Sequence, residues 1–291
     1  MKRKQVKKNT YTSRQIFIKK FMKNKLAVVG SLIIIVFVIM AIFAPIFATF
    51  DPNTTDLLNI RTSPNKVHIL GTDDLGRDIF SRLLYGGRVS IAVGVASMML
   101  QILIGVTIGV IAGYFGGLID KIIMRIVDII MCFPFFVIAI ALAAVIGGSI
   151  TNLVLIIGML MWPVITRIVR GEVLVTKQNE YILAAKALGF NTFEIIIHHI
   201  IPNIISAILV SSTLCIAQGI LMEATLSFLG LGVNPPTPSW GNMLVAAQNM
   251  SVLSHKWWMW IPAGMSVALI VLSVNFVGDG LRDALDVEKS V

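Results

Sequence analysis

Long runs without charge divide this chain into segments. Residues 26–50 and 89–119 contain no charged side chain, and each is long enough to cross the ~30 Å hydrocarbon core of a bilayer at about 1.5 Å per residue. Further apolar stretches occupy about 121–146, 150–166, 203–231 and 261–278. The pattern therefore predicts an all-α integral membrane protein with six transmembrane helices.

The basic residues predict the orientation of these helices. Ten of the 24 Lys and Arg residues lie in 1–25, where they alternate with apolar side chains such as Ile16 and Phe21, a pattern typical of an amphipathic helix on lipid headgroups. With both termini in the cytoplasm, 18 of the 24 basic residues lie inside, as the positive-inside rule requires. The six that lie outside are Arg61, Lys66, Arg77, Arg82, Arg88 and Lys256.

Polar stretches between the runs predict the loops. Residues 51–88 contain five acids balanced by five bases and are expected to form an external loop after the first transmembrane segment, 26–50. The acids in this loop are spaced partly like a calcium loop, but the required Glu at the twelfth position is missing. Prolines near 235 interrupt the next apolar run and predict a second external loop, 232–256. The remaining chain, 89–291, is expected to form the membrane core.

Composition excludes several classes of protein. The chain of 291 residues is 56% hydrophobic and 13% charged, with mean hydropathy +0.87, which is unlike a soluble globular domain. The net charge of +9 is concentrated before the first apolar run, so it indicates membrane orientation and contact with lipid, with no nucleic-acid partner. Cys132 and Cys215 both lie in apolar runs without a CxxC pattern, which predicts neither a disulfide nor a zinc site.

The sequence contains no recognisable catalytic or nucleotide-binding motif. No GxxxxGK[ST] stretch is present to hold ATP phosphates, and no Ser/His/Asp set or paired carboxylates can be assigned to one face. His198 and His199 are adjacent, so on a helix they point about 100° apart and form a poor metal-binding pair. We therefore expect no metal, no cofactor and no catalytic residue in this chain.

Two ionisable residues fall inside predicted transmembrane segments. Charged groups are costly there and suggest function, so Asp128 and Glu223 are candidates for the translocation pathway, a gate or a subunit interface. Asp128 is expected to pair with Arg125 or with a partner subunit. For Glu223, a role at a subunit interface or an outer gate and a role in packing both remain open, and direct contact with substrate is the less favoured role.

A charged island, 180–202, separates the fourth and fifth apolar runs. Its sequence, EYILAAKALGFNTFEIIIHHIIP, predicts two short helices. Asn179 is expected to cap the first helix and Gly189 to end it. Asn191 followed three residues later by Glu194 predicts a capping box for the second helix.

The first of these helices is expected to present one apolar face. Residues at helical spacing contribute to this face. Pro202 is expected to stop the second helix at the membrane. The residues themselves leave two interpretations open, a docking surface for a soluble protein and a hairpin that covers the protein's own helices. The predicted face comprises Tyr181, Ala184, Ala185 and Leu188.

This island resembles the "EAA" coupling loop of ABC-importer permeases, within the cytoplasmic segment 171–202. The matching positions are Ala184, Ala185, Gly189 and Pro202. Leu183 stands where the family has glutamate, and His199 stands where isoleucine is usual. With Leu183 and the neighbouring Leu188 in the loop, the resemblance implies docking onto an ATPase by shape and apolar contact more than by charge.

Four further blocks are similar to the second permease subunit of the oligopeptide, dipeptide and nickel importers. They are KNKLAVVGSLIIIV, HILGTDDLGRDIFSRLLYGGRVSI, ATLSFLGLGVNPPTPSWGNML and GDGLRDALD. The resemblance implies a type I importer permease fold in 89–291. It also implies three kinds of partner: a second permease, two ATPases that hold ATP and Mg, and an external substrate-binding protein. Peptides are the expected substrate, nickel or a metal chelate is the alternative, and a stand-alone secondary transporter is a hypothesis from another class.

Overall fold

The fold is built from helices of very different lengths. The computed structural model describes residues 13–285, and in that range it contains no strand, only an isolated bridge between Thr72 and Asp78. The α-helices are α1 (Ser13–Lys23), α2 (Lys25–Ile42), α3 (Ala44–Phe47), α4 (Ile79–Phe115), α5 (Gly117–Cys132), α6 (Phe135–Ile146), α7 (Ile150–Thr176), α8 (Glu180–Ala187), α9 (Thr192–Ile195), α10 (Ile201–Phe228), α11 (Trp240–Leu244), α12 (Met250–His255) and α13 (Ile261–Leu285).

The longest helices form the transmembrane part of the protein. Within 13–285, five helices are long and apolar enough to cross a membrane: α2, α4, α7, α13 and the continuous helix Thr192–Phe228. A sixth crossing results if α5 and α6, which are bent by 79° at the break between them, are taken as one segment. The predicted all-α, multi-pass membrane protein is therefore confirmed.

The N-terminal helix packs against the end of the last helix. Of the predicted basic segment 1–25, residues 1–12 lie outside the described range, as do 286–291 at the other terminus. The described part of that segment consists of α1 and the residues that follow it. One of these, Asn24, donates from its side-chain amide to the Asp283 carboxylate over 3.2 Å. This contact places the start of α2 beside the end of α13.

The first transmembrane helix is shorter than predicted. The apolar run 26–50 suggested one helix, but α2 ends at Ile42 and the short helix α3 follows. Pro45 explains the break, because in a continuous helix its ring would clash with the carbonyl of Ala41 and its missing N–H would remove a hydrogen bond.

The second transmembrane helix begins earlier than predicted. Residues 79–88 belong to α4 and not to an external loop, and the expected start at Val89 is wrong. The Asp78 carboxylate accepts the Ser81 N–H over 2.8 Å and caps α4. α4 ends at Phe115, and Gly116 follows with φ +66°.

The third and fourth segments also differ from their predicted bounds. The run 121–146 is divided into α5 and α6 at Pro134, which cannot continue the hydrogen-bond ladder of α5. α7 extends to Thr176, ten residues beyond the predicted end at 166. Arg167 and Arg170 remain within α7 because each pairs with an aspartate of α5.

Pro202 does not stop the helix that enters the fifth transmembrane segment. α9 continues through a π-helical turn, Ile196–Ile200, into α10. In this wider turn the N–H of Ile201 bonds to the carbonyl of Ile196, five residues back. Pro202 therefore lies inside the continuous helix Thr192–Phe228, just after the π-helical turn, and the prediction that it stops the helix is wrong.

Glycines at four-residue spacing bring α4 and α7 together. A Cβ atom added at Gly105, Gly109 or Gly113 would lie 2.7, 2.8 or 2.7 Å from the Cβ of a branched residue on α7. Such small residues let transmembrane backbones approach closely. The three branched residues are Ile165, Val169 and Val173, all of which are buried.

This close approach leads to a stability prediction. We expect Gly109→Val to lower the thermal unfolding temperature of the purified protein, because overpacking of this kind costs about 1–3 kcal/mol. The matched control is Gly171→Val on α7, where an added Cβ would meet nothing within 4 Å. Circular dichroism of the two variants in one detergent measures the difference, and equal unfolding temperatures would contradict the packing argument.

Candidate functional site

The helix α8 begins and ends at the predicted residues. Asn179 occupies the N-cap position, but its side chain donates to the hydroxyl of Tyr181 over 3.1 Å and does not cap the helix. At the other end, Gly189 has φ +87°, a conformation that glycine adopts at little cost. The prediction that Gly189 ends the helix is therefore confirmed, whereas the predicted side-chain cap is wrong.

The predicted capping box at the start of α9 is confirmed. The side-chain oxygen of Asn191 accepts the Glu194 N–H over 2.9 Å, and the Glu194 carboxylate accepts the Asn191 N–H over 2.9 Å. The two reciprocal bonds fix the direction in which α9 leaves the turn at Gly189.

The single apolar face predicted for α8 is divided between two environments. Ala185 packs into the protein's own core together with Ile182 and Ile195. Tyr181 and Leu188 are exposed, as is Ala184. Ile182 was not among the predicted residues, although its spacing of three from Ala185 indicates an inward face.

Large apolar side chains cover the outer side of α8 and α9. Leu188 is 78% exposed and Phe193 is 72% exposed. Several large apolar side chains exposed in one short segment are typical of an interaction surface. We call this group the α8–α9 patch; it consists of Tyr181, Leu183, Leu188, Phe190, Phe193 and Ile197.

The remaining candidates of the coupling loop lie at the edge of this patch. Ala184 and Gly189 are exposed beside Leu183 and Leu188. Their small size leaves the backbone accessible, and an added Cβ at Gly189 would meet nothing within 4 Å. Pro202 is exposed in α10, beyond the π-helical turn.

Two lysines contact the end of α4, one from α8 and one from the end of α7. The Nζ atom of Lys186 lies 5.2 Å from the ring centroid of Tyr114, within range of a cation–π contact. Lys177, just after α7, donates from Nζ to the Gly113 carbonyl over 2.7 Å. Because the last carbonyls of α4 lack helical partners, a lysine there satisfies one of them and opposes the helix dipole. The patch is thus connected to both α4 and α7.

Asp128 has a different partner from the one expected within this chain. Its carboxylate accepts from the Nη2 of Arg167 on α7 over 2.5 Å, and not from Arg125. The neighbouring pair is bidentate, with Arg170 bonded to Asp120 over 2.6 and 2.5 Å. These two ion pairs join α5 to α7.

Glu223 is the centre of a buried polar cluster near the other end of α10. Its side chain is fully buried and accepts the hydroxyl protons of Ser90 and Ser227, each over 2.7 Å. The backbone N–H of Trp240 in turn donates to the Ser90 hydroxyl over 3.1 Å. The cluster therefore joins α4, α10 and α11, and it turns the Glu223 side chain away from solvent.

The cysteines and histidines considered from the sequence form no metal site among the described residues. Cys132 is exposed and Cys215 is buried, and both are free thiols. His198 bonds through its ring to the carbonyl of Glu194. Among residues 13–285, no group of three His, Cys, Asp or Glu side chains is arranged to hold a metal ion.

Comparison with known proteins gives consistent relatives. The oligopeptide transport system permease protein OppC of Bacillus subtilis is 43% identical over 92% of this chain and 87% of its own length. The dipeptide transport system permease protein DppC of Alkalihalophilus pseudofirmus is 44% identical over 92% and 88%. The glutathione transport system permease protein GsiD of Shigella flexneri is 42% identical over 93% and 89%.

Two family patterns match successive parts of the chain. The N-terminal TM domain of oligopeptide transport permease C matches residues 12–64. The binding-protein-dependent transport system inner membrane component matches residues 105–289, which include α5 to α13 and the α8–α9 patch. The second match covers more than half of the protein. The chain therefore belongs to the family of binding-protein-dependent transport system inner membrane components.

Proposed function

We propose that this chain is a permease subunit of an ATP-driven importer and forms half of a translocation pathway for peptides. The observation that carries the proposal is the exposed α8–α9 patch, which is attached to the ends of two transmembrane helices. An exposed apolar surface of this kind is stabilised when a partner protein covers it. The relatives named for oligopeptide, dipeptide and glutathione transport favour peptides over nickel or a metal chelate.

The partners follow from the proposed role. Two ATPase subunits cover the α8–α9 patch and its counterpart on a second permease, and an external binding protein delivers the peptide. ATP and Mg are held by the ATPases, so this chain has no cofactor and no ATPase site of its own. Both termini and the patch lie in the cytoplasm, which is supported by the excess of basic residues on that side.

The contacts of α8 supply the path by which the ATPases move the membrane helices. Displacement of α8 acts on α4 through Lys186 and Tyr114. It acts on the core between α7 and α10 through Ile182 and Ala185, which pack there. A third route passes along the backbone through the π-helical turn into α10. The proposed lever therefore drives α4, α7 and α10.

The buried cluster at Glu223 belongs to the opposite, external side in this proposal. It holds α11 against α4 and α10, so the external segment 232–256 moves with these helices. Full burial of the Glu223 side chain favours this positioning role at the outer gate over contact with substrate. Asp128, which is half-exposed and bonded to Arg167, is placed to meet the second permease subunit.

Uptake into proteoliposomes tests the proposed function. We expect the complete complex, with its binding protein outside and ATP enclosed, to accumulate a labelled peptide, and to stop doing so when ATP is replaced by a non-hydrolysable analogue. A protonophore should leave this uptake unchanged. Uptake that persists without ATP and collapses with the protonophore would instead identify a secondary transporter.

A charge at Gly189 tests the docking surface. We expect Gly189→Asp to reduce ATP-dependent uptake at least tenfold, because a carboxylate at the edge of the patch loses water when a partner covers it. Gly189→Asn is the matched control, since it has the same size and the same strain at φ +87° without the charge. The amounts of both variants in the membrane should equal wild type, and equal uptake by both would contradict docking at this position.

The contact between Lys186 and Tyr114 tests the proposed path. We expect Tyr114→Leu to lower the ratio of peptide transported to ATP hydrolysed about two- to fivefold, in line with the roughly 0.5–1 kcal/mol of an exposed cation–π contact. Tyr114→Phe keeps the ring and should keep the ratio. Measuring uptake and phosphate release on the same proteoliposomes separates this uncoupling from a general loss of protein. An unchanged ratio in Tyr114→Leu would exclude the contact from the path.

A further inference from the structure

An apolar groove lies between α2 and α4, away from the α8–α9 patch. Its volume is about 360 Å³, and one charged residue, Arg88, lies at its edge. The groove is otherwise lined by apolar side chains, namely Val38, Ala41 and Ile42 of α2 and Ile91, Ala92 and Val95 of α4.

The position of the groove along α2 places it at a membrane surface. α2 has 18 residues, so it is roughly 27 Å long and nearly spans the hydrocarbon core. The groove involves its last turn, at Ala41 and Ile42. The guanidinium of Arg88 is therefore near the level at which hydrocarbon gives way to lipid headgroups, while the lining residues remain within the hydrocarbon.

Arg88 lacks an acidic partner in the described part of the chain. The salt bridges among residues 13–285 involve other arginines, such as Arg61, Arg77 and Arg82, and a histidine. Arg88 is exposed, and its Cζ atom lies 5.8 Å from the ring centroid of Tyr85. This cation–π contact orients the guanidinium but does not neutralise it.

We propose that the groove binds an anionic phospholipid, with the phosphate on Arg88 and one acyl chain between α2 and α4. The planar guanidinium matches a phosphate oxygen pair, and the lining residues match a hydrocarbon chain. A headgroup with net negative charge is favoured over a zwitterionic one because the site supplies a cation and no acid among its lining residues. The apolar lining excludes a free inorganic phosphate as the natural occupant.

Lipid retention by the purified complex tests the proposal. Native mass spectrometry follows the complex after addition of dioleoylphosphatidylglycerol or dioleoylphosphatidylcholine, which share their acyl chains. We expect wild type to retain the anionic lipid about tenfold better, the size of one charge-assisted contact. Arg88→Gln should reduce this retention to the level of the zwitterionic lipid. Lys66→Gln, which removes an exposed charge outside the groove, should match wild type.

A second variant separates the groove from simple surface attraction. Ala92→Phe fills the groove and leaves Arg88 in place, so it should also lose the anionic lipid about tenfold. Retention unchanged in Arg88→Gln, or unchanged in Ala92→Phe, would overturn the proposal. It would equally be overturned if Arg88→Gln released the second permease subunit without altering lipid retention, because the groove would then be a subunit interface.

Discussion

The arrangement of this protein depends on the close contact between α4 and α7. In lipid, apolar surface provides little driving force for helix association, so the helices must gain contact area by close packing. Gly105, Gly109 and Gly113 allow this, because each leaves space for a branched residue of α7. The contact also brings the end of α4 to the end of α7, where Lys177 satisfies the Gly113 carbonyl. The packing of α4 against α7 along their transmembrane length therefore fixes the position at which α8 begins.

The position of α8 explains how one short helix can serve both the core and a partner. Ile182 and Ala185 are buried in the core, whereas Leu183 and Leu188 are exposed. A helix held on one face moves as a rigid element when force is applied to the other face. The capping box after Gly189 extends this rigidity into α9. The division of α8 into two faces is thus the feature that suits it to transmit movement.

The sequence predicted six transmembrane helices, and the structure gives five, or six where α5 and α6 are counted as one segment; the ends of the helices were predicted poorly. Apolar runs of this length are typical of transmembrane helices, so the all-α membrane fold could be predicted. The early start at Ile79 was missed because Arg82 and Arg88 made the first turns of α4 resemble a loop. Pro202 was taken as a stop because a π-helical turn, which depends on neighbouring helices, has no clear local signal.

In the candidate site, too, some features are set by neighbouring residues in the sequence and others by packing between distant elements. Glycine and capping residues act within a few positions, so the bounds of α8 and the start of α9 could be predicted. The inward face was not predicted, although Ile182 and Ala185 have helical spacing; the residues buried with them, Val173 and Ile195, come from other elements. With Lys186 near the ring of Tyr114, the α8–α9 patch that is offered to an ATPase is formed by exposed apolar side chains, among them Leu183. The affinity of an ATPase for this surface should therefore depend on shape complementarity more than on ionic strength.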